Sequence, residues 1–113
     1  MTSRTIEAIN KLGEALSELN VPVFYAKKSK DIATNYIVYR EDLVSDALQA
    51  DGHILAEKQQ GTVDFYTKTP LQPILAKITA AIDSVENMII ISENTQFEDE
   101  TNQFHYEWTF EVI

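Results

Sequence analysis

Two hydrophobic periods alternate along the chain and predict helices and strands in a definite order. Apolar residues recur at three- and four-residue steps in residues 3–19 and 72–86, which is typical of helices with one buried face. Period-two or continuous apolar patterns predict strands at residues 23–25, 36–40, 54–68, 88–92 and 104–112. Residues 41–51 and 93–103 follow neither period. We interpret them as connections, the first with a short helical turn.

Two strand segments have features of their own. Gly61 lies inside the long third strand, where a glycine usually marks a bulge or a bend. The last strand is the clearest, because its aromatic and polar residues alternate strictly. One face of it carries Phe104, Tyr106, Trp108, Phe110 and Val112, and that face is predicted to be buried.

The order of elements is αβββαββ, and it predicts an α+β fold over a single domain of residues 1–113. With only two helices, too few crossovers exist for a wholly parallel sheet. We therefore expect both helices on one face of a mainly antiparallel sheet of four to five strands. A ferredoxin-like arrangement with an extra strand is the alternative. The predicted core comprises Ile6, Ile9, Leu16, Ile37, Val38, Phe65, Ile78, Ile82, Trp108 and Phe110.

Charge is distributed unevenly. All nine basic residues precede Ile78, while the C-terminal third holds enough acids to account for nearly the whole net charge of −9. Such a chain is poorly suited to binding the phosphates of nucleic acids, since that binding needs clustered Lys and Arg. The basic cluster Lys27-Lys28-Ser29-Lys30 is interpreted as a solvated loop. The absence of cysteine and of long apolar runs predicts a protein made in the cytoplasm, without membrane partners.

Candidate catalytic and metal-binding residues are few. His53 follows a turn-like Asp51-Gly52, and His105 lies on the polar face of the last strand. Neither has the convergent spacing of a zinc site. We therefore expect each histidine to be a polar surface residue or to make a local hydrogen bond. We interpret the acidic segment near the C-terminus as a solvated loop, because its acids lack EF-hand spacing. A loop that binds calcium or magnesium weakly is the alternative. The acids are Glu93, Glu98, Asp99 and Glu100. No catalytic, cofactor-binding or metal-binding residue is predicted.

The aromatic residues have two interpretations. The stripe Phe104, Tyr106, Trp108 and Phe110 could stack on bases, but the surrounding acids would repel phosphates, so core packing is preferred. Four tyrosines suit either the rim of the core or a contact between subunits, because tyrosine combines apolar area with a polar tip. They are Tyr25, Tyr36, Tyr39 and Tyr66.

Several strand motifs together resemble those of one protein family. They are Val21-Pro22-Val23-Phe24-Tyr25, Tyr36-Ile37-Val38-Tyr39-Arg40, Val63-Asp64-Phe65-Tyr66-Thr67-Lys68, and Phe97-Glu98-Asp99-Glu100-Thr101 leading into Phe104-His105-Tyr106. In this order they resemble the small tail-completion (tail-terminator) proteins of long-tailed bacteriophages and prophages. Residues 41–60 do not take part in the resemblance.

The resemblance implies a structural role without enzymatic activity. Family members form a ring, here expected to contain six copies, that caps the tail tube and joins it to the head connector. Partners would be further copies of the chain, the tail-tube protein and the connector protein. The expected location is the host bacterial cytoplasm during assembly and then the head-proximal end of the tail. An acidic DNA mimic or other small inhibitor is the alternative function, and a carboxylate-dependent hydrolase is a third with little support.

Overall fold

Within the residues that the structure describes, the fold consists of two helices and one five-stranded sheet, as the sequence predicts. A computed structural model describes the backbone of residues 1–48 and 54–113 and the side chains outside residues 43–57. The elements are α1 (Ser3–Ser17), β1 (Val23–Tyr25), β2 (Tyr36–Leu48), β3 (Ile54–Thr67), α2 (Ile74–Asp83), β4 (Met88–Glu98) and β5 (Gln103–Val112). The sheet order is β1-β2-β3-β5-β4. Only β1 and β2 are parallel, and the other pairs are antiparallel.

Local interactions set the helix boundaries, and both helices are shorter than predicted. α1 begins where the Thr2 hydroxyl accepts a hydrogen bond from the Thr5 amide, at 3.2 Å. It ends at Ser17, two residues before the predicted end, and Asn20 then takes a left-handed conformation with φ of 60°. α2 ends at Asp83, where the Ser84 hydroxyl bonds the Ala81 carbonyl at 2.7 Å and so competes with helix continuation.

The core lies between the two helices and one face of the sheet. Eight of the ten predicted core residues are buried there: Ile9, Leu16, Ile37, Phe65, Ile78, Ile82, Trp108 and Phe110. Ile6 is a wrong prediction. It is 49% exposed, because the buried stripe of α1 runs through Ala8, Ile9, Leu12 and Leu16. Val38 is also wrong. It is only half-buried, because it alternates with Ile37 and faces the side of the sheet without helices.

Two predicted connections are largely strand. β2 continues to Leu48, and β4 continues to Glu98, so the acidic connection shrinks to a turn at residues 99–102. Pairing with the strand that follows in the chain decides these assignments, since residues 91–97 are exposed throughout and show no alternation. Residues 49–53, which include the rest of the first predicted connection and His53, lie outside the described residues.

Gly61 does not interrupt β3. The irregularity predicted at this glycine lies on the neighbouring strand, where the register of β2 shifts between Glu41 and Val44. A Cβ on Gly61 would overlap the Arg40 carbonyl oxygen and the Phe110 ring. The glycine is therefore required for the close approach of β2 and β5 to β3.

Candidate functional site on the open face of the sheet

The sheet face opposite the helices, here called the open face, carries a row of aromatic side chains across three strands. Tyr36 pairs with Tyr66 across β2 and β3, and Tyr66 pairs with His105 across β3 and β5. The rings of Tyr36 and Tyr66 stack with centroids 4.9 Å apart, and those of Tyr66 and His105 at 4.3 Å. Cross-strand packing of this kind stabilises the sheet and fixes the plane of the imidazole.

Both ring nitrogens of His105 face carboxylates. Nε2 lies 2.6 Å from Asp64 Oδ1, and Nδ1 lies 3.4 Å from Glu98 Oε1. The other oxygen of Asp64 accepts a hydrogen bond of 3.0 Å from the Thr62 hydroxyl. Glu107 completes the group, because it is the direct cross-strand partner of Asp64. We call Asp64, Glu98, His105 and Glu107 the histidine–carboxylate cluster.

The cluster is poorly solvated, and this changes its acid–base properties. Burial lowers the pKa of His105, but the hydrogen bond and charge of Asp64, with the charges of Glu98 and Glu107, together raise it above the ordinary value. Burial raises the pKa of Glu107, and the negative charge of Asp64 raises it further. His105 and Glu107 therefore each hold a proton to higher pH than they would in water.

A polar groove of about 400 Å³ opens over the cluster. Asp64, His105 and Glu107 line one part of it, and Lys27, Lys28 and Arg40 line another. The ammonium of Lys28 lies 5.8 Å from the centroid of the Tyr36 ring. The basic loop is exposed, as expected, and forms one wall of this groove.

The structure separates the acids that the sequence groups together. Glu93 and Glu98 belong to β4, while Asp99 and Glu100 lie in the turn that follows. Glu98 contacts His105, whereas Glu93 accepts a hydrogen bond of 3.3 Å from the hydroxyl of Thr79 in α2. These four acids therefore do not form one cation-binding loop.

His105 lies on the polar face of β5, where the sequence places it, but it is largely buried beside acids. Sequence reasoning placed Glu107 on the same face of β5 but missed Asp64 as a neighbour of His105. Period-two alternation assigned each of them to a polar face, but only the register of β3 against β5 brings residues so far apart in the chain together.

The aromatic residues fall into different environments. Tyr106, Trp108 and Phe110 are buried against the helices, so they pack in the core and are not available to stack on bases. Among the four tyrosines singled out above, Tyr36 is buried and Tyr25 is exposed. The Tyr25 hydroxyl donates a hydrogen bond to the Glu41 carboxylate.

Comparison with known proteins gives a likeness of structure and none of sequence. No protein-family model matches the chain, and no curated protein matches its sequence. Among solved structures, the fold is similar to that of a chain in the virion of a native gene transfer agent (GTA) particle. The TM-score is 0.59 at 12% sequence identity, and the match covers 95% of this chain and 88% of that chain. The chain therefore shares its fold with a chain found in a virion.

No helix in the described part of the chain is long and apolar enough to cross a membrane.

Proposed function

We propose that this protein is a non-enzymatic structural component of a phage-like particle, and specifically the terminator of its tail. The observation that carries the proposal is the fold shared with a chain of a gene transfer agent virion over almost the full length of both chains. The strand motifs that resemble tail-completion proteins support the finer assignment. In this role, a ring of six copies caps the tail tube and joins it to the head connector.

The edge strand β4 supports assembly into a larger structure. It lies at the end of the sheet order, and in the described residues its outer edge pairs with no other strand. Its exposed apolar residues are Ile89 at 43%, Ile91 at 44% and Phe97 at 49%. Soluble proteins usually protect a long edge with charge or a covering element. An exposed apolar edge is consistent with burial against a neighbouring subunit.

The β2–β3 hairpin supports the same conclusion. Because β5 pairs with β3 only from Gln59 onward, residues 54–58 of β3 pair with β2 alone. The molecule is accordingly elongated, with extents of 49 × 28 × 25 Å. A two-stranded ribbon is marginally stable by itself in water. Contact with the next subunit of a ring would stabilise it.

A ring requires two different surfaces on each subunit, because its contacts are heterologous. The β4 edge and the part of the β2–β3 hairpin that extends beyond β5 are two such surfaces, and they lie on different strands of the sheet. The acids of the open face would also suit a lumen for DNA passage, since negative charge does not retain DNA. The partners in this proposal are further copies of the chain, the tail-tube protein and the head connector. Assembly takes place in the host bacterial cytoplasm.

The test is to locate the protein in purified particles. Mass spectrometry should detect it in the tail fraction in a few copies per particle, near six, and far below the copy number of the tube protein. Gold-labelled antibody should mark one end of isolated tails, at the head-proximal position. Its absence from particles, or label spread along the whole tail, would contradict the proposal.

A further inference from the structure

We propose that Asp64, His105 and Glu107 form a binding site for a divalent transition-metal ion at the base of the groove on the open face. The inference does not depend on the proposed role in a tail. It also goes against the sequence-based expectation of no metal site, because Asp64 joins His105 and Glu107 only through the register of β3 and β5.

The geometry brings suitable donor atoms within reach of one ion. One ligand atom from each of the three residues lies within 4.8 Å of the other two. Ligand atoms bound about 2.1 Å from a tetrahedral ion are about 3.4 Å apart. The 2.6 Å between His105 Nε2 and Asp64 Oδ1 must therefore widen by less than about 1 Å, which side-chain rotation can supply.

The surroundings hold the imidazole as a metal ligand requires. Glu98 faces Nδ1 of His105 at 3.4 Å, so a proton on Nδ1 leaves the Nε2 lone pair free for the ion. The Tyr66 ring, stacked at 4.3 Å, fixes the imidazole plane. A carboxylate behind a metal-binding histidine is a common arrangement, because it sets the tautomer and raises the basicity of the ring. Glu98 is thus a positioning residue.

The charge balance favours a cation at this position. Three carboxylates surround one histidine, and among the described residues no lysine or arginine forms an ion pair with Asp64, Glu98 or Glu107. Asp64 is 9% exposed. Asp64 already pairs with His105 and accepts a hydrogen bond from Thr62, so the excess negative charge is that of Glu98 and Glu107. A divalent ion would neutralise the excess charge that one imidazolium cannot.

The donor set indicates the type of metal. One imidazole nitrogen with two carboxylates, and no thiolate, suits Zn²⁺ or Mn²⁺ better than Ca²⁺ or Mg²⁺, which prefer oxygen ligands alone. The remaining coordination positions open into the groove, where water would occupy them.

The test is calorimetric titration of chelator-treated protein with Zn²⁺ and Mn²⁺, with Mg²⁺ and Ca²⁺ as comparators. One Zn²⁺ should bind per chain and raise the thermal midpoint, by an amount that grows with the logarithm of the free Zn²⁺ concentration divided by Kd. His105→Gln should weaken Zn²⁺ binding by more than about 100-fold, and Glu98→Gln by about 10-fold. Glu111→Gln is the matched control on the same face of β5, and His53→Asn controls for the second histidine. Both should bind as the unmodified chain does.

A second measurement does not depend on any variant folding correctly. Substoichiometric Mn²⁺ should broaden the imidazole resonances of His105 in the proton NMR spectrum of the unmodified protein, before those of His53. Three results would overturn the proposal: no stoichiometric Zn²⁺ binding, unchanged binding by folded His105→Gln, or equal affinity for Mg²⁺. The last would indicate only general screening of an acidic surface.

Discussion

Gly61 of β3 and Phe110 of β5 are direct cross-strand partners, and the Phe110 ring fills the space that a side chain at Gly61 would need. On the other side, the Arg40 carbonyl oxygen of β2 approaches the same point. Phe110 is among the largest fully buried side chains. The contact therefore links three adjacent strands at the centre of the sheet.

Gly61→Ala should destabilise the fold by about 1–3 kcal/mol, because the added methyl group meets backbone on one side and a buried ring on the other. Urea denaturation followed by circular dichroism measures the change. Gly13→Ala is a useful comparison, since the nearest atoms there belong to the Tyr39 side chain. Replacing Tyr39 by leucine should rescue Gly13→Ala, whereas Phe110→Leu should rescue Gly61→Ala only in part. Equal stability of Gly61→Ala and the unmodified chain would contradict this packing.

Trp108→Ala should cost about 3–5 kcal/mol, which a marginally stable domain would not survive at elevated temperature. Trp108 is 4% exposed, and its indole N–H donates a hydrogen bond of 2.9 Å to the Thr79 hydroxyl of α2. Trp108→Phe keeps most of the buried area, so its loss of stability should be substantially smaller than that of Trp108→Ala. Thermal melts of both variants give the comparison. An unchanged midpoint for Trp108→Ala would mean that the indole contributes little to the core.

Stability should decrease as the pH rises above about 10, the pKa of tyrosine in an unfolded chain. Burial raises the pKa of Tyr36, Tyr39 and Tyr66, and the hydrogen bond to Glu41 raises that of Tyr25. The folded chain therefore keeps protons that the unfolded chain loses, so this contribution is complete below pH 10 and disappears as the pH rises through the folded-state values. Urea midpoints between pH 8 and 11 should show the loss, and Tyr39→Phe should reduce it. A flat profile would contradict the burial of these hydroxyl groups.

Ile91→Lys should leave the isolated chain folded but prevent its incorporation into particles. Ile91 lies at the register shift of β4 and is exposed, so the change removes no core contact and places a charge at the proposed interface. Ile6→Lys is the matched control, because Ile6 is an exposed isoleucine on α1, away from this edge. Particle content can be compared by complementation and mass spectrometry. Normal incorporation of Ile91→Lys would exclude the β4 edge as an interface.

The sequence predicts the fold well where a buried face imposes a period. The order of elements and most core residues follow from the helical stripes of α1 and α2 and from the alternation in β5. Prediction fails where strands are exposed on both faces, as in residues 91–97 of β4, since the sequence of such a strand has no hydrophobic period. The ends of β2 and β4 are set by pairing with the strand that follows each of them in the chain, β3 and β5, and no local hydrophobic pattern marks them.

The candidate site was less accessible to sequence reasoning. His105 is visible in the sequence as one of two histidines, but Asp64 and Glu107 are ordinary acids on two separate strands. Their proximity depends on the register of β3 against β5, and a shift of one residue would place them on opposite faces. Register is a property of the folded sheet, and no short motif encodes it here.

Deletion of the gene from an inducible prophage that carries it tests the proposed role most directly. If the protein terminates the tail, induced cells should contain filled heads without attached tails, together with tails of abnormal length. Expression of the unmodified chain from a plasmid should restore infectious particles. Normal, infectious particles with attached tails of uniform length, produced in the absence of the protein, would contradict the account.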